Sequence, residues 1–390
     1  MIKSRILWGL WLFAAAVFYV LTEGYAGFLL LALSLILPLL FLGLTWAAAG
    51  KLEASISAEV AGEKGKPMGA GLILENRSFF PLDRVVCTVR CENLLTGETF
   101  TSRVRMAAAP RSRSVQELSF QSAHCGKLRI EIKTLTAYDL FGIGRFRKRT
   151  EAECTALVRP RTFGMAAQVV YGESMSLDGE EYSMRKPGFD PSETFAIREY
   201  RPGDHIRQIH WKLSEKMGEL TVRDYGLPIQ NTVLLLLETG FVEGESRDGL
   251  SERLDALAEG ILSLSQELAE QRVSHSLGWQ DHREGSFHCL EIDSQEDLAA
   301  ALPQILGAAP GADEVSVLGH YLERREQCEF AHVVLFAPRL ISDAAVIENQ
   351  ALVTEVLCER EAGGSYGENN VKVLSSTAET LEEDMAYLEL

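Results

Sequence analysis
The sequence predicts a two-helix transmembrane hairpin, then an all-β sandwich domain, then a doubly wound α/β domain, on three observations. Residues 6–50 are apolar apart from one charged side chain, Glu23. Residues 52–150 hold short alternating runs separated by turn formers, which is the pattern of half-buried strands. Beyond residue 231, runs that are apolar at every position alternate with a helix-period segment, as a mostly parallel sheet covered on both faces requires. The boundaries that follow are 1–50 for the hairpin, 51–150 for the β domain, 151–230 for a connecting region and 231–390 for the α/β domain.

Glu23 divides the apolar stretch into residues 6–22 and 24–50, and a helix crosses a bilayer with about 20 apolar residues. Trp8, Trp11, Tyr19, Tyr25 and Trp46 suit anchoring at the interfaces, and Pro38 is tolerated in such a helix. Ala47-Ala48-Ala49 has the small residues of a cleavage site, but a signal peptide has a shorter apolar region without a polar break in its middle. Lys3 and Arg5 precede the first helix, Lys51 follows the second and the turn carries no basic residue. That asymmetry predicts a two-pass protein of the plasma membrane with both termini and the soluble domains in the cytoplasm. The seven cysteines are an odd number without paired spacing, as reduced thiols are, and Cys87 and Cys91 share one face of a strand as core thiols.

Charge is distributed unevenly along the soluble part. The net formal charge is +7 over residues 51–150, −3 over 151–230 and −22 over 231–390. A basic membrane-proximal segment is attracted to anionic lipids, whereas a strongly acidic distal segment is repelled. The same acidity argues against nucleic acid as a partner.

In the β domain, runs at residues 70–74, 85–89, 100–104 and 128–132 are separated by Glu75-Asn76-Arg77-Ser78 and by residues 93–97. Two packed sheets are the natural closure. In the α/β domain, Val233–Leu237 is a continuous apolar strand, and Leu254, Leu257, Ala258, Ile261, Leu264 and Leu268 recur at helical spacing. Further strands are predicted at 273–279, 332–336 and 371–374, with a helix over 342–361 before the last. Ligands of such sheets bind at the carboxyl ends of the strands, so the residues after Leu237 and Phe336 are the ones to inspect.

The most specific segment lies between these domains: Arg198-Glu199-Tyr200-Arg201-Pro202-Gly203-Asp204, then Arg207, then Trp211-Lys212. Pro202-Gly203 suits a type II turn, and Asp204 caps the next turn and pairs with Arg207 three residues on. Two readings remain open here, a structural turn with satisfied charges and an arginine-rich partner contact. This segment resembles the signature of the domain of unknown function 58 family, whose members resemble von Willebrand factor A domains. Tyr138-Asp139-Leu140-Phe141-Gly142-Ile143-Gly144 is similar to the segment ending that family's β domain, and Leu157-Val158-Arg159-Pro160 to its following strand. The resemblance implies association with a MoxR-type AAA+ ATPase and help in assembling envelope or metal-containing complexes, with no established reaction.

The residues themselves agree with that silence. A Walker A loop, a His-Glu-x-x-His pair and a Cys-x-x-Cys pair are all absent from the sequence. Gly363-Gly364-Ser365-Tyr366-Gly367 spells a hydrolase elbow, but the predicted order is helix, loop, strand, the reverse of what an elbow needs. His282 and His288-Cys289 lie near one another and read as solvated loop residues. A von Willebrand factor A metal site places Asp-x-Ser-x-Ser after the first strand, because a hard cation needs converging oxygens. Here those positions hold Glu238, Gly240 and Val242, and Ala337-Pro338-Arg339 follows Phe336 with Asp343 too far along to replace a ligand. The expectation is therefore a membrane-anchored, non-enzymatic interaction or assembly protein with lipids, an ATPase and an unknown protein client as partners, and no cofactor or metal. The alternatives are a metal-dependent ligand binder and, more remotely, a hydrolase.

Overall fold
The computed structural model describes residues 2–22, 24–168, 190–201, 209–226, 233–241, 249–324, 330, 332–341, 343–347, 351–361, 363–368 and 370–389. The chain divides into two compact units, Met1–Pro160 and Arg161–Leu390.

The first unit begins with the helices Ile2–Thr22 and Tyr25–Gly50, both long and apolar enough to cross a membrane. They pack side by side. Gly27 permits their close approach, since a Cβ there would lie 3.0 Å from the Tyr19 Cα. Trp8 and Trp11 donate their indole N–H groups to the carbonyl and hydroxyl of Ser34. Most of the remaining side chains of both helices are exposed and apolar.

A β-rich domain follows. One sheet pairs Leu52–Ala58 with Met68–Asn76 and that strand with Ser112–Phe120, all antiparallel. The other runs in the order Ala61–Glu63, Glu153–Arg159, Gly126–Tyr138, Leu82–Asn93, Thr99–Ala108, with Arg145–Arg149 also on Gly126–Tyr138. Glu153–Arg159, which the sequence reading leaves in the connecting region, is thus a strand of this sheet. Alternation does what it predicts: Met68–Asn76 and Leu82–Asn93 bury every second residue, and the two sheets share one core. Cys87 and Cys91 face that core beside Val89, and burial pushes their thiols up to about 11 and about 12. Two buried asparagines hold the ends of strands together. Asn76 Nδ2 donates to the carbonyls of Phe80, Ala108 and Ala109, while Asn93 Nδ2 donates to Cys125 and its Oδ1 accepts from Leu95.

The second unit is built on a seven-stranded sheet. Its order is Ser286–Ile292, His275–Asp281, Val233–Leu237, His332–Ala337, Leu352–Cys358, Val371–Ser376, Tyr366–Glu368, with the outermost strands antiparallel and the inner five parallel. Both faces are covered. Leu250–Glu270 lies against Phe336, while Val317–Arg324 and Ala344–Ile347 pack with Leu234, Leu236, Val333 and Leu335 on the opposite face. Every residue of Val233–Leu237 and His332–Ala337 is therefore buried.

The helix predicted over 342–361 is wrong. Described residues there form only the short helix Ala344–Ile347 and then the strand Leu352–Cys358 at the heart of the parallel sheet. Thr354 and Glu355 interrupt the apolar run as the polar face of a helix would, yet both are buried. The order around Gly363-Gly364-Ser365 changes accordingly: a strand precedes the exposed loop, and the strand Tyr366–Glu368 rather than a helix follows it. A nucleophile elbow needs that helix.

Candidate functional site
Val233–Leu237 is flanked on both sides by parallel partners, so its carboxyl end is the natural mouth of the sheet. Glu238 stands there, fully buried. Its Oε1 accepts from the Gly240 amide at 2.6 Å and its Oε2 from the Val317 amide at 2.8 Å, at the first residue of the helix Val317–Arg324. A carboxylate at a helix N-terminus meets unsatisfied N–H groups and the positive end of the dipole. Burial still prevails and pushes this carboxyl above its ordinary range, against the two amides and the Arg339 charge. A Cβ on Gly240 would approach Glu238 Oε1 to 2.6 Å, so any larger residue there would displace the carboxylate. Val242 lies outside the described residues.

Three side chains from loops complete this end. His282 follows the strand His275–Asp281, and a Cβ on Gly311 would lie 2.4 Å from its own. Its ring is buried rather than solvated, with Nδ1 3.5 Å from Asp313 Oδ2 and Nε2 without a hydrogen-bond partner among the described residues. The same Asp313 oxygen accepts from His320 Nε2 at 2.9 Å, and Asp313 Oδ1 accepts from the Val315 amide. Burial raises the Asp313 carboxyl, but the His320 and Val315 hydrogen bonds and the two imidazole charges outweigh it and hold it below its usual value. His282 moves the other way, pushed down by burial against the pull of Asp313. Arg339 reaches the Asp313 carbonyl at 3.5 Å.

Asp343, predicted to come too late in the chain, does reach this end: Ser316 Oγ donates to its Oδ2 at 2.7 Å, one residue before Val317. The sheet edge brings Glu238, Ser316, Asp343, Asp313 and two histidines into one neighbourhood. No cluster of three or more His, Cys, Asp or Glu spaced to hold a metal ion occurs among the described residues.

The signature segment forms a separate feature. Asp190–Glu199 pairs antiparallel with Thr221–Gly226, aligning Arg198 with Val222 and Glu199 with Thr221. The helix Trp211–Met217 follows, closed by Gly218 in the left-handed region at φ 75°. Ser214 Oγ ties the helix to the strand by accepting from the Thr221 amide at 2.9 Å. His210 Nε2 lies 2.6 Å from Arg223 Nη2, which as a guanidinium nitrogen only donates. The Leu213 amide donates to the His210 carbonyl at 3.0 Å and also lies 3.3 Å from its Nδ1, capping the helix. Glu199, Arg201, Trp211 and Lys212 are exposed, Arg198 and Tyr200 half-buried. Gly203, Asp204 and Arg207, with their predicted turn and pair, lie outside the described residues. Ile197, Trp211, Met217 and Leu220 are 49%, 62%, 62% and 47% exposed, an apolar group among the basic ones.

No protein-family model matches this chain, and neither does any curated protein. Among solved structures, the CARDB domain of a Pyrococcus furiosus protein is similar over 28% of this chain and 87% of its own, at 14% identity and a TM-score of 0.20. The Pseudomonas fluorescens alkylpurine DNA glycosylase AlkC is similar over 36% of this chain and 41% of its own, at 12% identity and a TM-score of 0.21. At such scores neither likeness carries an argument about fold or function.

Proposed function
We propose that this chain is a membrane-anchored interaction or assembly protein without a reaction of its own, acting with a MoxR-type AAA+ ATPase on an envelope or metal-containing complex. The reading includes its place in the domain of unknown function 58 family and a von Willebrand factor A-like second unit, resting on the signature residues and on the order of hairpin, β domain, signature and parallel sheet. One contrast supports it. At the carboxyl ends of the strands Glu238 is engaged through both oxygens with backbone amides, whereas the signature segment turns Ile197, Trp211 and Lys212 outward. Exposed aromatic and basic side chains are what protein contacts use.

The test is affinity purification of the full chain from its native membrane, with and without Arg201→Glu. An ATPase and a client should co-purify with the unsubstituted chain and be lost from the variant, whose melting temperature stays within about 2 °C. A large fall in melting temperature would favour the structural reading of the signature. A metal-dependent ligand binder is the second reading, favoured by the approach of Ser316 and Asp343 to the helix that binds Glu238.

A further inference from the structure
The second apolar helix is longer than a bilayer requires, and what its surplus does is informative. Its 26 residues span about 39 Å against a hydrocarbon core of about 30 Å. Measured from Tyr25, the far edge of the hydrocarbon falls about 20 residues on, near Thr45. From the same place one side of the helix is buried: Thr45, Ala48 and Ala49 are buried, the two alanines in the β-domain core, while Trp46 and Ala47 stay exposed. A helix that spans the bilayer from Tyr25 would therefore leave the apolar phase where it enters the β domain.

Three loops of that domain reach this level or slightly below it. In the turn after Gly126–Tyr138, the Ile143 carbonyl accepts from Arg5 Nε at 2.7 Å, and a Cβ on Gly144 would lie 2.1 Å from Leu42 Cδ1. Arg5 and Leu42 each stand 17 residues from the helix ends Thr22 and Tyr25, so the two helices place the turn at one depth, about 26 Å from the far side. Phe41 packs edge-on against Phe141 and against Phe80, each at 5.7 Å, which brings in the Ser78–Phe80 bend. The hairpin tip at Arg111 joins it through the Ser78 carbonyl and through its guanidinium, 3.8 Å above the Phe79 ring.

The side chains these loops leave outside are apolar. Phe79 is 73% exposed and Leu140 62%, next to the half-exposed Phe141. The strand Arg145–Arg149 climbs from Gly144 beside Leu42 to Lys148, whose Nζ donates to the carbonyls of Gly50 and Leu52. Four strand residues cover about 13 Å and eight helix residues about 12 Å, so strand and helix rise together. Arg145 and Arg147, both exposed, stand at successive heights just above the edge. Of the acidic groups at this end, Glu53 and Glu75 are paired with Arg77 and Asp139 is buried, accepting from the Gly144 amide; Asp83 stands exposed beside Arg84.

We propose that the β domain docks into an anionic bilayer surface through Leu140, Phe141 and Phe79, with Arg145, Arg147 and Arg111 on the lipid headgroups. Apolar tips below and arginines above match the layering of a headgroup boundary, and an arginine over an aromatic ring is at home there. The domain is thereby held by the membrane at a second place, and the depth of the hairpin is set. This inference rests on the two helices crossing a bilayer.

The test uses the full chain in vesicles of phosphatidylcholine and phosphatidylglycerol, with a bimane label on Leu140→Cys, Phe79→Cys, Leu35→Cys or Val60→Cys and quenching by brominated lipid. The label acquired by the unsubstituted chain is subtracted. Leu35 lies mid-helix and reports spanning; Val60, beside Leu157 and so level with Lys127, lies at the opposite end of the sheet from Tyr138. Quenching at Leu140 and Phe79 should exceed that at Val60 by at least about twofold, and fall when phosphatidylglycerol is left out or Arg145→Glu and Arg147→Glu are combined. Strong quenching at Leu35 with Leu140 and Phe79 no higher than Val60 would overturn docking and leave the hairpin standing. Absence of quenching at Leu35 would overturn both.

Discussion
The two units bury polar groups for different purposes. In the first, the buried polar side chains Asn76, Asn93 and Asp139 sit where strands end and satisfy the backbone of turns. In the second, titratable groups lie within or against the central strands: Glu238, His275, His332 and Glu355 are all buried. The buried acid and imidazole of the β domain, Asp139 and His124, sit in connections between strands and not within them. The parallel sheet instead holds several groups whose protonation is set by burial, so the units should respond differently to mutation and to pH.

The largest effect belongs to the first unit. Asn76→Ala would leave the Ala108 carbonyl and the Ser78 amide short of partners in a buried place, while the Phe80 carbonyl keeps the Ser78 hydroxyl and the Ala109 carbonyl keeps the Ser112 hydroxyl. A loss of about 4 kcal/mol follows from one to three per orphaned group with partial rescue by water. Denaturant unfolding of the full chain in detergent measures it, and a loss under about 1 kcal/mol would mean that the turn holds without the asparagine.

The second effect is a pair of opposed pH slopes in the second unit. Burial pushes the Glu355 carboxyl to about 7 against the Ile341 amide, so the folded state holds its proton more tightly than the unfolded chain does. That contribution is complete below pH 4.5 and is lost as pH rises through about 7. Burial, with the Lys372 charge, pushes His332 down to about 4, so its contribution is complete above pH 6.5 and is lost as pH falls through about 4. Where the two windows overlap, from pH 4.5 to 6.5, the slopes nearly cancel. Glu355→Gln should therefore expose a stability that rises with pH, and His332→Gln one that falls, each by about 3 kcal/mol over two pH units. Amide exchange in the strand His332–Ala337 reads both, and parallel curves for the two variants would contradict the assignment.

The smallest effect on folding is expected at the signature. Trp211 is exposed at the first residue of its helix, so Trp211→Ala should change stability by less than about 0.5 kcal/mol while weakening co-purification of a partner. A loss of several kcal/mol without loss of partner would reassign the segment to structure.

Legibility in the sequence follows the same division. Two-residue alternation marked four strands of the β domain, and unbroken apolar runs marked Val233–Leu237 and His332–Ala337. Leu352–Cys358 was misread because buried Thr354 and Glu355 imitate the polar face of a helix, and composition cannot tell a buried carboxyl from a solvated one. The ends of the parallel strands were located correctly through Glu238 and Gly240, but Asp313, His320 and the burial of His282 were missed, since they converge from two loops and a helix. A signal existed in Asp313-Glu314-Val315-Ser316: Ser316 Oγ accepts from the Gly319 amide, a helix start that places Val317 and with it the partner of Glu238.

On the proposed function, the mouth of the parallel sheet holds no cation and the second unit works through its surface. Calorimetry of the full chain in detergent with magnesium and with manganese tests it most directly. Both carboxylate oxygens of Glu238 are engaged with backbone amides and Arg339 adds its charge nearby, so the predicted result is no binding heat in the micromolar range. A micromolar site that disappears with Glu238→Ala would contradict the claim and restore the metal-dependent ligand binder.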